Sequence, residues 1–486
     1  MQVSIIIPFT LYFLIVIGIG IFTTRFSSRG MAEFFLGGRQ MGRFVVALSA
    51  VVSGRSAWLL LGFTGMAYTM GMSAVWAVAG YTLVEFLLFL YYAPRIRKFS
   101  EEHDCITLPD FYAARFNDHS GILRILIIII FLVFMVTYVS AQFVGGGKAF
   151  FTNFQLDQTW GLVLTALIVM VYTILGGFKA VSFTDVLQAI VMLAALIGLP
   201  VYALIHLGGW HEVSDRVLQI DEGFLDPYAL TFGVFAGFLG IGLGSAGNPH
   251  ILVRYMSIKD PSQFRWTAIV GTVWNILMAG GALFIGLIGR AYFPSAEMLP
   301  NGDAENVYLF LASEIMHPVM VGLLLASIFA AIMSTADSQL LVAASSLVRD
   351  LYDRILHKDK PLPQKQLTLL SRLCVGFLVI VAIILGILIH DLVFWFVLFA
   401  WAGLGAAIGP TSILALFWKR TTKAGVIAGL ISGTVTVFVW KSIPILNNLI
   451  YELIPAFFIA LFLTIIVSLV TGPAEQDQGK EKVKGP

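Results

Sequence analysis

The stretch FVVALSAVVSGRSAWLLLGFTGMAYTM, residues 44–70, decides the fold. It is apolar almost throughout and long enough to span a bilayer. Ser53-Gly54-Arg55-Ser56 sits at its middle, where a simple membrane helix would not place it. Glycine favours a helix break, and serine hydrogen-bonds loosened backbone. Arginine at mid-membrane costs at least ~2.5 kcal/mol unless it is paired or hydrated. Irregular backbone at that depth is tolerated only where protein or a water-filled cavity surrounds it. The break therefore predicts a protein-enclosed cavity, and interrupted spans with sites near the midplane mark secondary transporters. A plain kink with Arg55 snorkelling is the bland alternative, but Arg55 lies too near the centre of its span to reach the interface easily.

The rest of the chain has the same character. Of its 486 residues 58% are hydrophobic and 12% charged, with a mean hydropathy of +0.90. A soluble chain carries about 25% charged residues. The composition predicts a polytopic helical membrane protein whose surroundings are the lipid bilayer. The net charge of +2 gives no sign of a nucleic-acid partner. Cys105 and Cys374 fall in a predicted cytoplasmic segment and a span, so no disulfide framework is indicated. The first apolar stretch lacks a basic start and a small-residue cleavage site, and reads as a retained helix. Eight histidines are scattered without metal-ligand spacing. Phosphate-binding loop, Ser-His-Asp constellation and Cys-x-x-Cys pair are all missing, so nothing supports ATP hydrolysis or covalent catalysis.

Thirteen spans are predicted, at 4–23, 44–70, 73–93, 122–149, 158–175, 184–206, 229–248, 266–289, 317–348, 369–389, 391–417, 424–441 and 450–471. Lys and Arg collect in alternate connections. Arg25, Arg29, Arg39 and Arg43 follow span 1; Arg95, Arg97, Lys98, Arg115 and Arg124 follow span 3. Arg254, Lys259 and Arg265 follow span 7, a cluster from Arg349 through Lys358 and Lys360 to Arg372 follows span 9, and Lys419, Arg420 and Lys423 follow span 11. The other face is mostly acidic, with Asp215, Asp221, Glu222, Asp226, Glu297, Asp303 and Glu305. This bias predicts the N-terminus outside and the polar tail, 472–486, in the cytoplasm. Short helices are expected at Leu108–Tyr112 and at Ala304–Glu314. Lys148 is expected to snorkel, Lys179 to sit in a turn after span 5, and His390 and Asp391 in an outer turn.

A second break lies in span 7, where Gly240-Ile241-Gly242-Leu243-Gly244-Ser245-Ala246-Gly247-Asn248-Pro249 is dense in glycine and ends in Asn-Pro. Glycines can serve close helix packing alone, but that does not account for Asn-Pro. Breaks in spans 2 and 7 occupy equivalent places in a five-plus-five repeat, and an odd repeat length inverts the halves. The expected organisation is a first span and loop (1–43), one repeat (44–206, spans 2–6), a second repeat (229–417, spans 7–11), two further spans (418–471) and the tail. Span 9 adds Ser334, Thr335, Asp337 and Ser338 within five residues. Hydroxyls and carbonyls freed by a broken helix form a neutral oxygen site suited to Na⁺. Asp337 should face protein or water.

Several stretches resemble the sodium:solute symporter family: Leu36–Arg39, Trp58–Leu60, Gly176–Asp185, Ala330–Thr335 and Ala400–Pro410. The resemblance runs from about residue 10 to 470. It implies an all-α, leucine-transporter-like inverted repeat of about thirteen spans and Na⁺-coupled import of a small organic solute, an amino acid such as proline first. Carried over by position, the Na⁺ ligands are the carbonyls of Val52, Arg55 and Ala331 and the hydroxyls of Ser334 and Thr335. Asp185, with Asp337 and Ser338, matches where some members bind a second Na⁺. The substrate region would comprise Ser56, Ala57, Trp58, Tyr138, Gln142, Ile241, Ser245 and Pro249.

The chain departs from the proline-carrying members at the site itself. They carry Asp at Gly54, an apolar residue at Arg55, Trp and Tyr at Ile241 and Ser245, a small residue at Gln142 and an uncharged one at Asp337. Three readings of Arg55 follow: it pairs with Glu85 or Asp337, it binds a substrate carboxylate through its planar fork, or it occupies the cation site and weakens Na⁺ dependence. The alternative cargo is another carboxylate-bearing solute, such as a monocarboxylate. A sensor without net flux is the reading from a different class, and the short tail offers it no output domain.

Overall fold

The computed structural model describes residues 2–24, 31–357, 363–389 and 392–472. Arg25, Arg29, Lys358, Lys360, His390, Asp391 and the tail 473–486 lie outside the described residues. The described elements are helical. Among the described residues ten helices are long and apolar enough to cross a membrane, and Arg43–Ser53, Gln158–Ile174 and Phe232–Gly247 are shorter apolar helices.

Span 2 is built in two halves. Arg43–Ser53 forms the first, and a wide-turn helix Trp58–Phe63 with Thr64–Met70 forms the second. Between them the turns tighten: Gly54 N–H donates to Val51 O at 3.1 Å and Arg55 N–H to Val52 O at 3.0 Å. Ser56 then adopts φ 47°, in the left-handed region. That conformation is costly for a residue with a Cβ and persists only where its surroundings enforce it.

Span 7 breaks differently. Phe232–Gly240 leads into a tight helix Ile241–Gly247, the chain extends at Asn248, and Pro249–Ser257 resumes. Pro249 is tolerated at a helix start, where its missing N–H has no intrahelical partner to lose. The glycines also set spacing. A Cβ on Gly244 would lie 1.9 Å from Trp401 Nε1 of span 11 (Val393–Phe417), so only glycine permits that approach.

Two expectations are corrected here. Span 7 continues to Ser257 instead of ending at 248, so Arg254 is not a loop cation but a buried helical residue, 1% exposed. No loop separates spans 5 and 6: Gln158–Leu207 is interrupted only at Gly177, whose φ of 70° admits the kink. Lys179 thus lies in helix, and Asp185 falls inside span 6.

The expected short helices form. Leu108–Arg115 starts with a capping box in which Thr107 and Asp110 satisfy each other's backbone. Its Asp110 binds Arg124 at 2.7 Å, and Arg124 binds Asp350 at 2.5 Å. Burial would raise the Asp110 carboxyl, yet Arg124 holds it below the usual carboxylate range. On the acidic face, Ala304–Asn306 and Val307–Ile315 pack over the bundle. Lys148 does not snorkel. It is 6% exposed and binds Asp303 at 2.6 Å and Glu305 at 2.5 Å.

Candidate functional site

Span 9 (Pro318–Ser345) crosses the first half of span 2 at its break. Ser334 Oγ lies 3.4 Å from Val52 O and 3.0 Å from Ala331 O. Thr335 Oγ1 donates to Ser53 O at 2.9 Å, and Ser53 Oγ donates to Ser334 O at 3.0 Å. Loosened carbonyls and hydroxyls thus converge in a fully buried setting, with the Asp185 carboxylate 3.5 Å from Ser53 Oγ. The structure brings Val52, Ala331 and Ser334 together, with Thr335 one carbonyl further along. The Arg55 carbonyl instead heads the second half-helix and accepts from Leu59 N–H at 3.0 Å.

The Arg55 side chain turns away from span 9. It forms an ion pair with Glu85 of span 3 (Val75–Leu87), both residues being at most 2% exposed. Its Nε donates to Asn275 Oδ1 at 2.9 Å, and Asn275 Nδ2 donates to Glu85 Oε2 at 2.8 Å. Ser245 Oγ donates to the other Glu85 oxygen at 3.2 Å, and the guanidinium lies 3.7 Å from the Tyr81 ring centroid. Spans 2, 3, 7 and 8 (Phe264–Tyr292) are joined through this one ion pair. Asp337 takes no part. Asn275 and Tyr81 escaped the sequence reading; an amide alone in apolar span 8 was the available signal.

The residues carried over as substrate contacts form a buried wall. Tyr138 OH donates to Ser56 Oγ at 3.3 Å, and Gln142 Oε1 accepts from Ala57 N–H at 2.9 Å. Trp58 stacks on Phe63 and Phe394, with centroids 5.7 and 5.4 Å apart. The Ile241 carbonyl, freed by the second break, is capped by Trp401 Nε1 at 2.8 Å. Ser245 is spent on Glu85, and Pro249 opens the second half of span 7. Gln142 Nε2 and Trp58 Nε1 are buried donors with no partner among the described residues. His250 lies fully buried beside Tyr138, centroids 6.1 Å apart; sequence reasoning passed it over as a scattered histidine.

Arg254 organises the second cluster. Its Nη2 donates to Asp185 Oδ2 at 2.9 Å and to Ser338 Oγ at 2.6 Å, and its Nε donates to Ser49 Oγ at 2.7 Å. Ser49 Oγ in turn donates to Asp185 Oδ2 at 2.5 Å. Asp337 accepts from Ser338 Oγ at 3.0 Å. Two of the three residues carried over for a second Na⁺, Asp185 and Ser338, are therefore already engaged by a guanidinium.

Ile241 and Phe238 line a cleft of about 390 Å³ that continues to Lys441, Asn447 and Glu452 on the acidic face. Toward the basic face, the cavity between Arg254, Ser338, Phe178 and Thr107 measures about 10 Å³. That is room for about one water at most.

Two broken helices that cross each other, with ion-type oxygens at one break, define a secondary transporter of the five-plus-five inverted-repeat class. The chain belongs to the sodium:solute symporter family, whose model matches residues 34–433. It is 38% identical to the sodium/proline symporter of Staphylococcus aureus (strain JH9) over 473 residues, covering 96% of this chain and 92% of that protein. Among solved structures, a Na⁺-coupled sialic acid symporter in a substrate-bound, outward-open state matches with a TM-score of 0.81 at 18% identity, covering 98% of this chain and 99% of that one. Mhp1, a nucleobase-cation-symport-1 family transporter, matches with a TM-score of 0.55 at 15% identity, covering 91% of this chain and 96% of that one. The protein is thus a multi-pass membrane transporter that uses Na⁺ as coupling ion, and not an enzyme.

Proposed function

We propose that the chain imports a small amino acid, proline first, together with Na⁺ by alternating access. The observation that carries the reading is the convergence of Ser334 Oγ with the Val52 and Ala331 carbonyls. A Na⁺ ion there ties span 9 to the broken span 2. By linkage, Na⁺ raises solute affinity by the same factor by which solute raises Na⁺ affinity. Because the Arg55 side chain is held by Glu85, it neither fills the Na⁺ site nor stands free for a carboxylate. This speaks for retained Na⁺ dependence and against Arg55 as the solute anchor. The unpaired Gln142 and Trp58 donors suit a carboxylate beside Ser56, which keeps other carboxylate-bearing solutes as the second reading. A thermal-shift screen of candidate solutes, run in Na⁺ and in choline, separates the two.

Ser334→Ala with Thr335→Ala is expected to remove Na⁺-stimulated uptake while the protein still inserts. Unchanged Na⁺ dependence in that double variant would sink the site assignment.

The basic face is read as cytoplasmic, with the N-terminus outside. Single cysteines placed near Asp221 should react with an impermeant thiol reagent in intact cells. Those near Lys419 should react only after permeabilisation. The reverse pattern overturns the orientation.

A further inference from the structure

The cleft on the acidic face holds two opposite charges that the central site does not use. Lys441, near the end of span 12 (Lys423–Ser442), and Glu452, just before span 13 (Leu453–Thr471), both line it. Glu452 is 3% exposed. Its carboxylate takes a hydrogen bond from its own backbone N–H and feels Lys441 at longer range. Among the described residues neither side chain closes an ion pair within 4.0 Å. The walls are held in place by contacts of their own. Trp440 Nε1 donates to Ile450 O at 3.0 Å, and Tyr451 OH donates to Leu398 O of span 11 at 2.5 Å. The connector between spans 12 and 13 lies flush on the first half of span 7: a Cβ on Gly233 would lie 2.0 Å from Leu449 O, and one on Gly237 3.2 Å from Tyr451 Cβ. Trp395 and Phe238 add aromatic surface, and Ile241 connects the cleft to the second break.

A lysine and a glutamate that stay apart in one cleft are only half answered by a ligand of single charge. An anion meets the ammonium and leaves the carboxylate, and a cation does the reverse. A small zwitterion meets both, with a charge-assisted hydrogen bond at each end. The volume, about 390 Å³, falls within the ~300–1,000 Å³ of small-molecule sites. We propose that this cleft is an outer binding site for a small zwitterion of the α-amino-acid class, with Lys441 on its carboxylate and Glu452 on its ammonium. It is built by spans 12 and 13, which lie outside the five-plus-five repeat, against spans 7 and 11. It shares no group with the Na⁺ oxygens at Val52 and Ser334, so it binds without Na⁺. Solute held there stands beside Ile241, the first residue of the second break. The choice of amino acids as ligand class rests on the reading of the chain as an amino-acid importer.

Equilibrium binding of tritiated proline to the purified full chain in lipid nanodiscs, in Na⁺ and in choline, tests it. The wild type is expected to hold two prolines per protein in Na⁺ and one, more weakly, in choline. Lys441→Met and Glu452→Gln should each lose the proline that survives in choline. Both should keep the Na⁺-dependent one, which also shows that they fold. Ser334→Ala with Thr335→Ala should do the reverse. Cyclopentanecarboxylate lacks the ammonium and pyrrolidine lacks the carboxylate. Each should compete at the choline-resistant site of the wild type ~10-fold or more worse than proline. A choline-resistant proline that survives either Lys441→Met or Glu452→Gln overturns the proposal, and so does its absence from the wild type. Competition by either analogue as strong as that of proline also overturns it, because the site then reads a single charge. If the choline-resistant proline depends on Lys441 and Glu452 but no Na⁺-dependent one appears, the central-site reading fails and this one stands. No proline binding at all defeats both.

Discussion

Replacing Glu85 with glutamine is expected to damage the protein more than replacing Glu85 and Arg55 together. In the wild type the guanidinium is 1% exposed and is held by Glu85, Asn275 and the Tyr81 ring. Glutamine leaves a dipole where a full negative charge stood, and the cation has no route to water. Removing one partner of a buried pair typically costs ~3–5 kcal/mol. Glu85→Gln should therefore lower the melting temperature in detergent and abolish uptake. Glu85→Gln with Arg55→Met removes both charges and should recover much of that loss. The resulting coupling energy is expected at the upper end of the ~0.5–3 kcal/mol seen for contacting residues. Asp337→Asn, which lies in a separate cluster, should show near-zero coupling to Arg55→Met. Near-zero coupling for Glu85 as well, with normal uptake in Arg55→Met, would return Arg55 to a solvated role.

Lys148→Met should give a loss of similar size nearer the acidic face. Lys148 compensates two carboxylates, Asp303 at 2.6 Å and Glu305 at 2.5 Å. Glu305 also accepts the backbone N–H groups of Val393 and Phe394, at 2.9 and 2.8 Å. These are orphan donors at the start of span 11, so the carboxylate caps that helix from another segment. The backbone of Glu305 is pressed onto span 2 as well: a Cβ on Gly65 would lie 2.9 Å from its nitrogen. Without the ammonium, the two acids repel and the cap is strained. A loss of ~3–5 kcal/mol is expected in thermal or denaturant unfolding. Lys148→Met with Asp303→Asn should lose less, since one carboxylate remains and it still caps span 11. Equal stability of Lys148→Met and wild type would show that the cluster is hydrated and contributes little.

Much of this fold was legible because its signals are local. A bilayer demands about twenty apolar residues per crossing, so spans can be counted along the chain. Ser-Gly-Arg-Ser and the glycine run ending in Asn-Pro are equally local, because each disrupts a helix through its own residues. The pairing of Arg55 was legible in outline for the same reason: a charge at that depth must have a partner, and Glu85 is an acid inside a neighbouring span.

Arg254 shows where such reading stops. By sequence it is one more cation after an apolar span, grouped with Lys259 and Arg265. Only the resumption of helix after Asn248 carries it inward to Asp185. Lys148 was misread for a related reason, because its partners lie more than 150 residues away in a loop whose docking no local pattern encodes.

The class of fold, the two breaks, the kind of oxygen donors at span 9 and the need for a counter-charge to Arg55 could all be read along the chain. All of these follow from transfer energies and backbone geometry acting within a span. Which acid takes which cation was settled by packing: Glu85 takes Arg55 and Asp185 takes Arg254, while Asp337 accepts from Ser338. Coulomb attraction falls with distance and is strengthened where water is excluded, so the choice belongs to helix packing, which brings side chains distant in sequence within 3 Å of each other.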